Sequence, residues 1–100
     1  MIWHVVTFEW QDSVTASDVT ELERDLARFR DELDVLVDYR YGPDLNLREN
    51  TGDFAIVAVL RSPEDLPLYL DHPAHARLVS ERLGPMIKRR CAVQIAVEQG

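Results

Sequence analysis

The chain has 100 residues, 46% of them hydrophobic and 29% charged, with a formal net charge of −7. That length predicts one α+β domain spanning residues 1–100, able to bury roughly two thirds of its unfolded surface. The acidic balance, with a pI of 4.8, argues against a nucleic-acid or anionic-membrane partner, because either would be repelled. A single cysteine, Cys91, has no internal disulfide partner. No charged-then-apolar leader and no apolar run near ~20 residues is visible, so a cytoplasmic protein without a membrane span is expected.

Residues 2–9 alternate, with Ile2, His4, Val6 and Phe8 on one face and Trp3, Val5, Thr7 and Glu9 on the other, the period of a strand. From Ser17 to about Leu36 the apolar residues Leu22, Leu26, Phe29, Leu33 and Leu36 follow helical steps. Either Thr15 with Asp18 or Ser17 with Glu21 supplies the start signal. Residues 37–41 read as a second strand closed by Gly42-Pro43-Asp44, and residues 44–52 as a polar loop. Phe54–Leu60 is a strand that is apolar on both faces. An antiparallel sheet normally leaves one face to water, so a partner subunit is expected to cover the second face.

Ser62-Pro63-Glu64-Asp65 predicts a short helix with Ser62 as N-cap and Pro63 at the first position. Pro73 opens another, with His72 as N-cap and an end near Lys88. The basic run Lys88-Arg89-Arg90 is then expected to offset the negative end of that helix. Cys91–Val97 reads as a last strand, with Cys91 a buried, inert thiol. The resulting order, β-α-β-β-α-α-β, is that of a ferredoxin-like α+β fold with an antiparallel sheet carrying its helices on one face.

The segment Tyr69-Leu70-Asp71-His72-Pro73-Ala74-His75 gathers two of the three histidines, a tyrosine and a carboxylate at a helix start. Backbone N–H groups and the positive dipole end there disfavour an imidazolium, which keeps His75 in the neutral form that a general base requires. A metal site is not predicted, because His72 is used as a cap and no well-placed third ligand stands near it.

Together with Trp3-His4-Val5-Val6-Thr7-Phe8, Tyr41-Gly42-Pro43-Asp44 and Phe54-Ala55-Ile56-Val57, that segment resembles the stress-responsive dimeric α/β barrel (Dabb) family over nearly the whole chain. The resemblance implies a homodimer in which the helix-free sheet faces meet as a barrel. It also implies a pocket for a small hydrophobic or phenolic ligand in each subunit. A cofactor-free polyketide cyclase of the family carries a tyrosine and a histidine that fall on Tyr69 and His75, and a first-strand histidine that falls on His4. A third-strand histidine of that cyclase has no counterpart, since Phe54, Ala55 and Ile56 stand there. The resemblance therefore implies enolate chemistry without a cofactor, with His75 as base and Tyr69 as oxyanion partner. His4, His72, Phe8 and Phe29 are the expected ligand contacts. A non-catalytic stress or carrier protein and a cofactor-free monooxygenase are the competing readings.

Overall fold

The computed structural model describes residues 1–98. Its elements run β1 (Ile2–Trp10), α1 (Ala16–Glu32), β2 (Asp38–Pro43), β3 (Phe54–Leu60), α2 (Asp65–Leu70), α3 (Pro73–Leu78) and β4 (Ile87–Ala96), with a π turn (Val79–Leu83) and a 3-10 turn (Gly84–Met86) between α3 and β4. The four strands form one sheet in the order β2-β3-β1-β4, every neighbouring pair antiparallel. The fold is ferredoxin-like.

Register decides which side chains meet. His4 lies opposite Ala58 on β3 and Gln94 on β4, Val6 opposite Ile56 and Ala92, and Phe8 opposite Phe54 and Arg90. This set, joined by Tyr39 of β2 opposite Ala58, faces the helices. Leu22, Leu26 and Phe29 of α1 are buried together with Tyr69, Ala74, Leu83 and Met86 over it. Burying each of the large apolar side chains stabilises the fold by about 1.5–3 kcal/mol. The opposite face presents Trp3, Val5, Val57, Val59, Cys91, Val93 and Ile95, of which Trp3, Val93 and Ile95 are 37%, 52% and 44% exposed.

Several boundaries differ from the sequence expectation. At α1 the first of the two expected start signals is the one used: the Thr15 hydroxyl accepts from the Asp18 N–H while the Asp18 carboxylate accepts from the Thr15 N–H, a complete capping box. The helix stops at Glu32 rather than Leu36, because Leu33 turns extended and its N–H bonds back to Arg30. The segment at Ser62 opens as a turn, with Asp65 and Leu66 donating to Ser62 and Pro63 carbonyls. The helix proper therefore begins at Asp65 without a side-chain cap. The Pro73 helix does not run regularly to Lys88 either. It widens into the π turn, and β4 begins at Ile87, four residues before Cys91. The basic run consequently lies in a strand. Cys91 is exposed rather than buried, since alternation from Arg90 turns it to the helix-free face, opposite Thr7. Between Glu9 and Trp10 the β1–β4 register slips: Glu9 pairs with Arg89 but Trp10 with Ile87. Lys88 is thus the extra residue of a β-bulge.

The π turn is held from two sides. Arg82 donates to Asp25 at 2.7 Å and to Glu21 at 2.8 Å, both on α1. Gly84 donates to the Val79 carbonyl, and a Cβ added at Gly84 would lie 2.7 Å from that oxygen. Backbone cannot yield as a flexible side-chain end would. Gly84→Ala is therefore expected to destabilise the protein by about 1–3 kcal/mol, read as a lowered urea midpoint at unchanged m-value.

Candidate functional site

Beneath α3 and the π turn, against the helix-facing side of the sheet, lies a cavity of about 330 Å³. Its wall is mostly apolar, including Val6, Phe8, Leu78 and Leu83, and four polar residues join it: His4, Tyr39, His75 and Arg90. Few polar groups converging in an apolar hollow is the usual make-up of a small-molecule site. A larger groove of about 410 Å³ lies elsewhere, between Thr7, Ala55 and the 44–52 loop. Its charged residues are Asp44 and Arg48 and no histidine lines it, so the smaller cavity is the one with imidazoles in its wall.

His75 is placed by its neighbours in sequence. His72 is extended ahead of Pro73, and its Nδ1 accepts from the Ala74 N–H at 3.0 Å, so the helix starts cleanly. His75, in that first turn, meets the Tyr69 ring edge-on with centroids 5.2 Å apart, and Phe29 at 5.9 Å. Tyr69 also packs on His4 at 5.9 Å and on Phe29 at 5.8 Å. The structure thus brings His4, Phe8 and His75 to the cavity wall. Tyr69 and Phe29 form the layer behind it, and His72 serves as a cap outside the lining.

Protonation follows from surroundings. Burial comes first in pushing the His75 pKa below its ordinary value of 6.5; the Arg90 guanidinium adds to this and Asp71 opposes it. Burial likewise lowers His4, helped by Arg90 and His75. The direction is the one expected for His75, with desolvation as its first cause and Arg90 as its second. The Gln94 side-chain amide reaches His4 Nδ1 at 2.8 Å. An amide nitrogen only donates, so Nδ1 accepts and the neutral ring carries its proton on Nε2. His75 has no such tie among the described residues and is the histidine free to accept a proton. The Tyr39 and Tyr69 hydroxyls interact, and burial raises both pKa values, which keeps them as neutral donors.

The family model of the Stress responsive A/B Barrel Domain (Dabb) matches residues 2–97. The chain belongs to the Dabb family. It is similar to a dimeric ferredoxin-like protein of unknown function from Thermobifida fusca, with 34% identity and a TM-score of 0.89 over 96% of this chain and 90% of that one. A Dabb family protein from Mesorhizobium loti shares the fold at 14% identity and a TM-score of 0.80, over 98% and 97% of the two chains. So does the hydroxynitrile lyase of Passiflora edulis, at 13% identity and 0.83 over 99% and 94%. No curated protein sequence matches this one. No helix among the described residues of this Dabb chain is long and apolar enough to cross a membrane. No cluster of three metal-ligating side chains occurs among them.

Three residues at or beside the cavity carry no signal within their own segments. Tyr39 reaches the wall because β2 pairs with β3 opposite Ala58, a relation between strands that spacing within one strand does not carry. Gln94 meets His4 only through the β1–β4 register. Arg90 belonged to a run assigned to a helix end; period-two alternation from Phe8 across the register is the signal that finds it.

The two depressed histidines make a pH prediction. The unfolded chain takes up protons near pH 6.5 that the folded chain refuses, so stability is full above that value and is lost as pH falls toward the lower folded pKa values. The urea midpoint is expected to drop between about pH 7 and pH 5, and a His4→Gln/His75→Gln double variant is expected to flatten that slope. Asp18 and Asp38, whose pKa values lie below 3.8, act only at more acidic pH.

Proposed function

We propose that the protein works as a homodimer with one small-molecule cavity in each subunit, and that the cavity supports cofactor-free enolate chemistry of the polyketide-cyclase kind. The observation that carries the reading is a neutral, untied His75 at an apolar cavity wall, held in ring contact with a buried tyrosine. His75 removes a proton from the carbon between two carbonyls, leaving an enolate. The enolate carbon attacks a second carbonyl carbon of the same molecule, a carbon–carbon bond forms, and the carbonyl oxygen becomes an alkoxide. The Tyr69–Tyr39 hydroxyl pair and the His4 Nε2–H supply donors for that charge, and the proton held on His75 completes the hydroxyl.

The dimer is supported by the apolar helix-free face, too exposed for a lone sheet, and by the dimeric Thermobifida fusca relative. The hydroxynitrile lyase marks the fold as one that hosts enzymes, but fold does not specify reaction, so the chemistry rests on these residues. A crystal soaked with a phenolic carboxylic acid tests the site. Ligand density within hydrogen-bond reach of His75 and a tyrosine hydroxyl supports it; density elsewhere, with the cavity closed by protein side chains, overturns it in favour of a structural role.

A further inference from the structure

We propose that the cavity selects an anion, a small molecule with an apolar body and a carboxylate or equally compact negative group, with Arg90 as its anchor. This rests on the cavity being the ligand site and adds the class of ligand. Arg90 lies opposite Phe8 on β4, which turns it to the helix-facing side and into the cavity wall. Its two basic neighbours are engaged elsewhere, Lys88 and Arg89 each 3.7 Å from the Glu9 carboxylate. Arg90 has no carboxylate partner in any ion pair among the described residues. Other arginines outside any ion pair, such as Arg24 and Arg61, lie away from this cavity, and Arg90 is the one in its wall.

Nothing negative lines the wall. Its other polar groups are the neutral rings of His4 and His75 and the hydroxyl of Tyr39. A planar guanidinium offers two parallel N–H donors that match a carboxylate, while the apolar lining takes the remainder of the ligand. The volume, near the lower end for ligand sites, suits one ring or a short chain. Arg90 is also exposed, so it stands where the cavity meets solvent and the anion sits at the mouth with its body inward.

This placement couples binding to proton transfer. Arg90 disfavours a positive charge on His75, yet a general base becomes positive when it takes its proton. An anion on Arg90 offsets that field, so the base strengthens when ligand is bound.

The test uses benzoate and its neutral isostere benzamide as probes of the full-length protein, titrated in low salt near pH 7.5, where benzoate is ionised, while the His4 and His75 ring signals are followed by NMR. Benzoate is expected to bind at least about tenfold more tightly than benzamide. Arg90→Gln is expected to remove that ratio by weakening benzoate alone, and Arg90→Lys to keep part of it. The His75 pKa should rise when benzoate is bound and not with benzamide. Equal affinity for the two probes in the unaltered protein, or a ratio that survives Arg90→Gln, overturns anion selection and leaves the cavity as a ligand site. If neither probe moves the ring signals, the cavity reading itself falls and anion selection with it.

Discussion

Ring closure of a linear poly-β-ketone substrate is expected to slow by about 10²–10⁴-fold in His75→Ala, the range that loss of a positioned general base produces. The size follows from the site. His75 is the histidine at the wall with an unengaged ring, since His4 Nδ1 takes a bond from Gln94 and His72 Nδ1 caps α3. No nearby group replaces it as a neutral acceptor. Tyr69→Phe and Tyr39→Phe remove donors rather than the base, so each should act mainly on kcat with the proton-removal step still operating. Product formation by chromatography, with circular dichroism as a folding control, checks the series. An unchanged rate in His75→Ala would remove His75 as the base, and ring closure no faster with the native protein than without it would move the protein to the ligand-carrier class. Oxygen uptake with a quinol, lost in Tyr69→Phe, would move it to the monooxygenase class.

Val93→Asp is expected to convert a two-chain species into one that sediments at the protomer mass of 11.5 kDa. Val93 lies on the helix-free face opposite Val5 and is already 52% exposed in the protomer, so the protomer fold tolerates a carboxylate there. A symmetric interface is less forgiving, because each subunit presents the same patch and one substitution introduces two charges. Burying an unpaired polar or charged group costs at least about 1–3 kcal/mol, enough with two copies to weaken association by roughly a hundredfold or more. Sedimentation equilibrium at micromolar concentration reads the change. A native protein found only at the protomer mass would leave the apolar face to another kind of cover.

Elements governed by their own residues were legible in the sequence. The β1 alternation, the limits of β3, the Thr15–Asp18 box and the His72-Pro73 start all act within a few positions of chain, and the structure has them in place. The apolar spacing overruns α1, because Leu33 and Leu36 continue it after the backbone has turned. The α3 region is less legible, since a π turn leaves no periodic signature in so short a segment, and a regular helix to Lys88 displaces everything behind it. That single displacement hides Arg90 from the site. Of the cavity, the histidines on β1 and α3 could be proposed one by one. Their company could not: Tyr39 and Gln94 are brought to His4 by strand order and register, which long-range pairing decides.

The bulge at Lys88 has a bearing on how such a cavity keeps its charge when the strand register slips. With Trp10 opposite Ile87, flattening the bulge so that Lys88 paired with Glu9 would slip the following strand by one position and exchange its two faces. Arg90 would then point away from the cavity, but Arg89 would take the place opposite Phe8. Because the run is Lys88-Arg89-Arg90, a positive side chain faces inward in either reading frame, so a one-residue slip at this joint leaves the sign of the field over His75 unchanged.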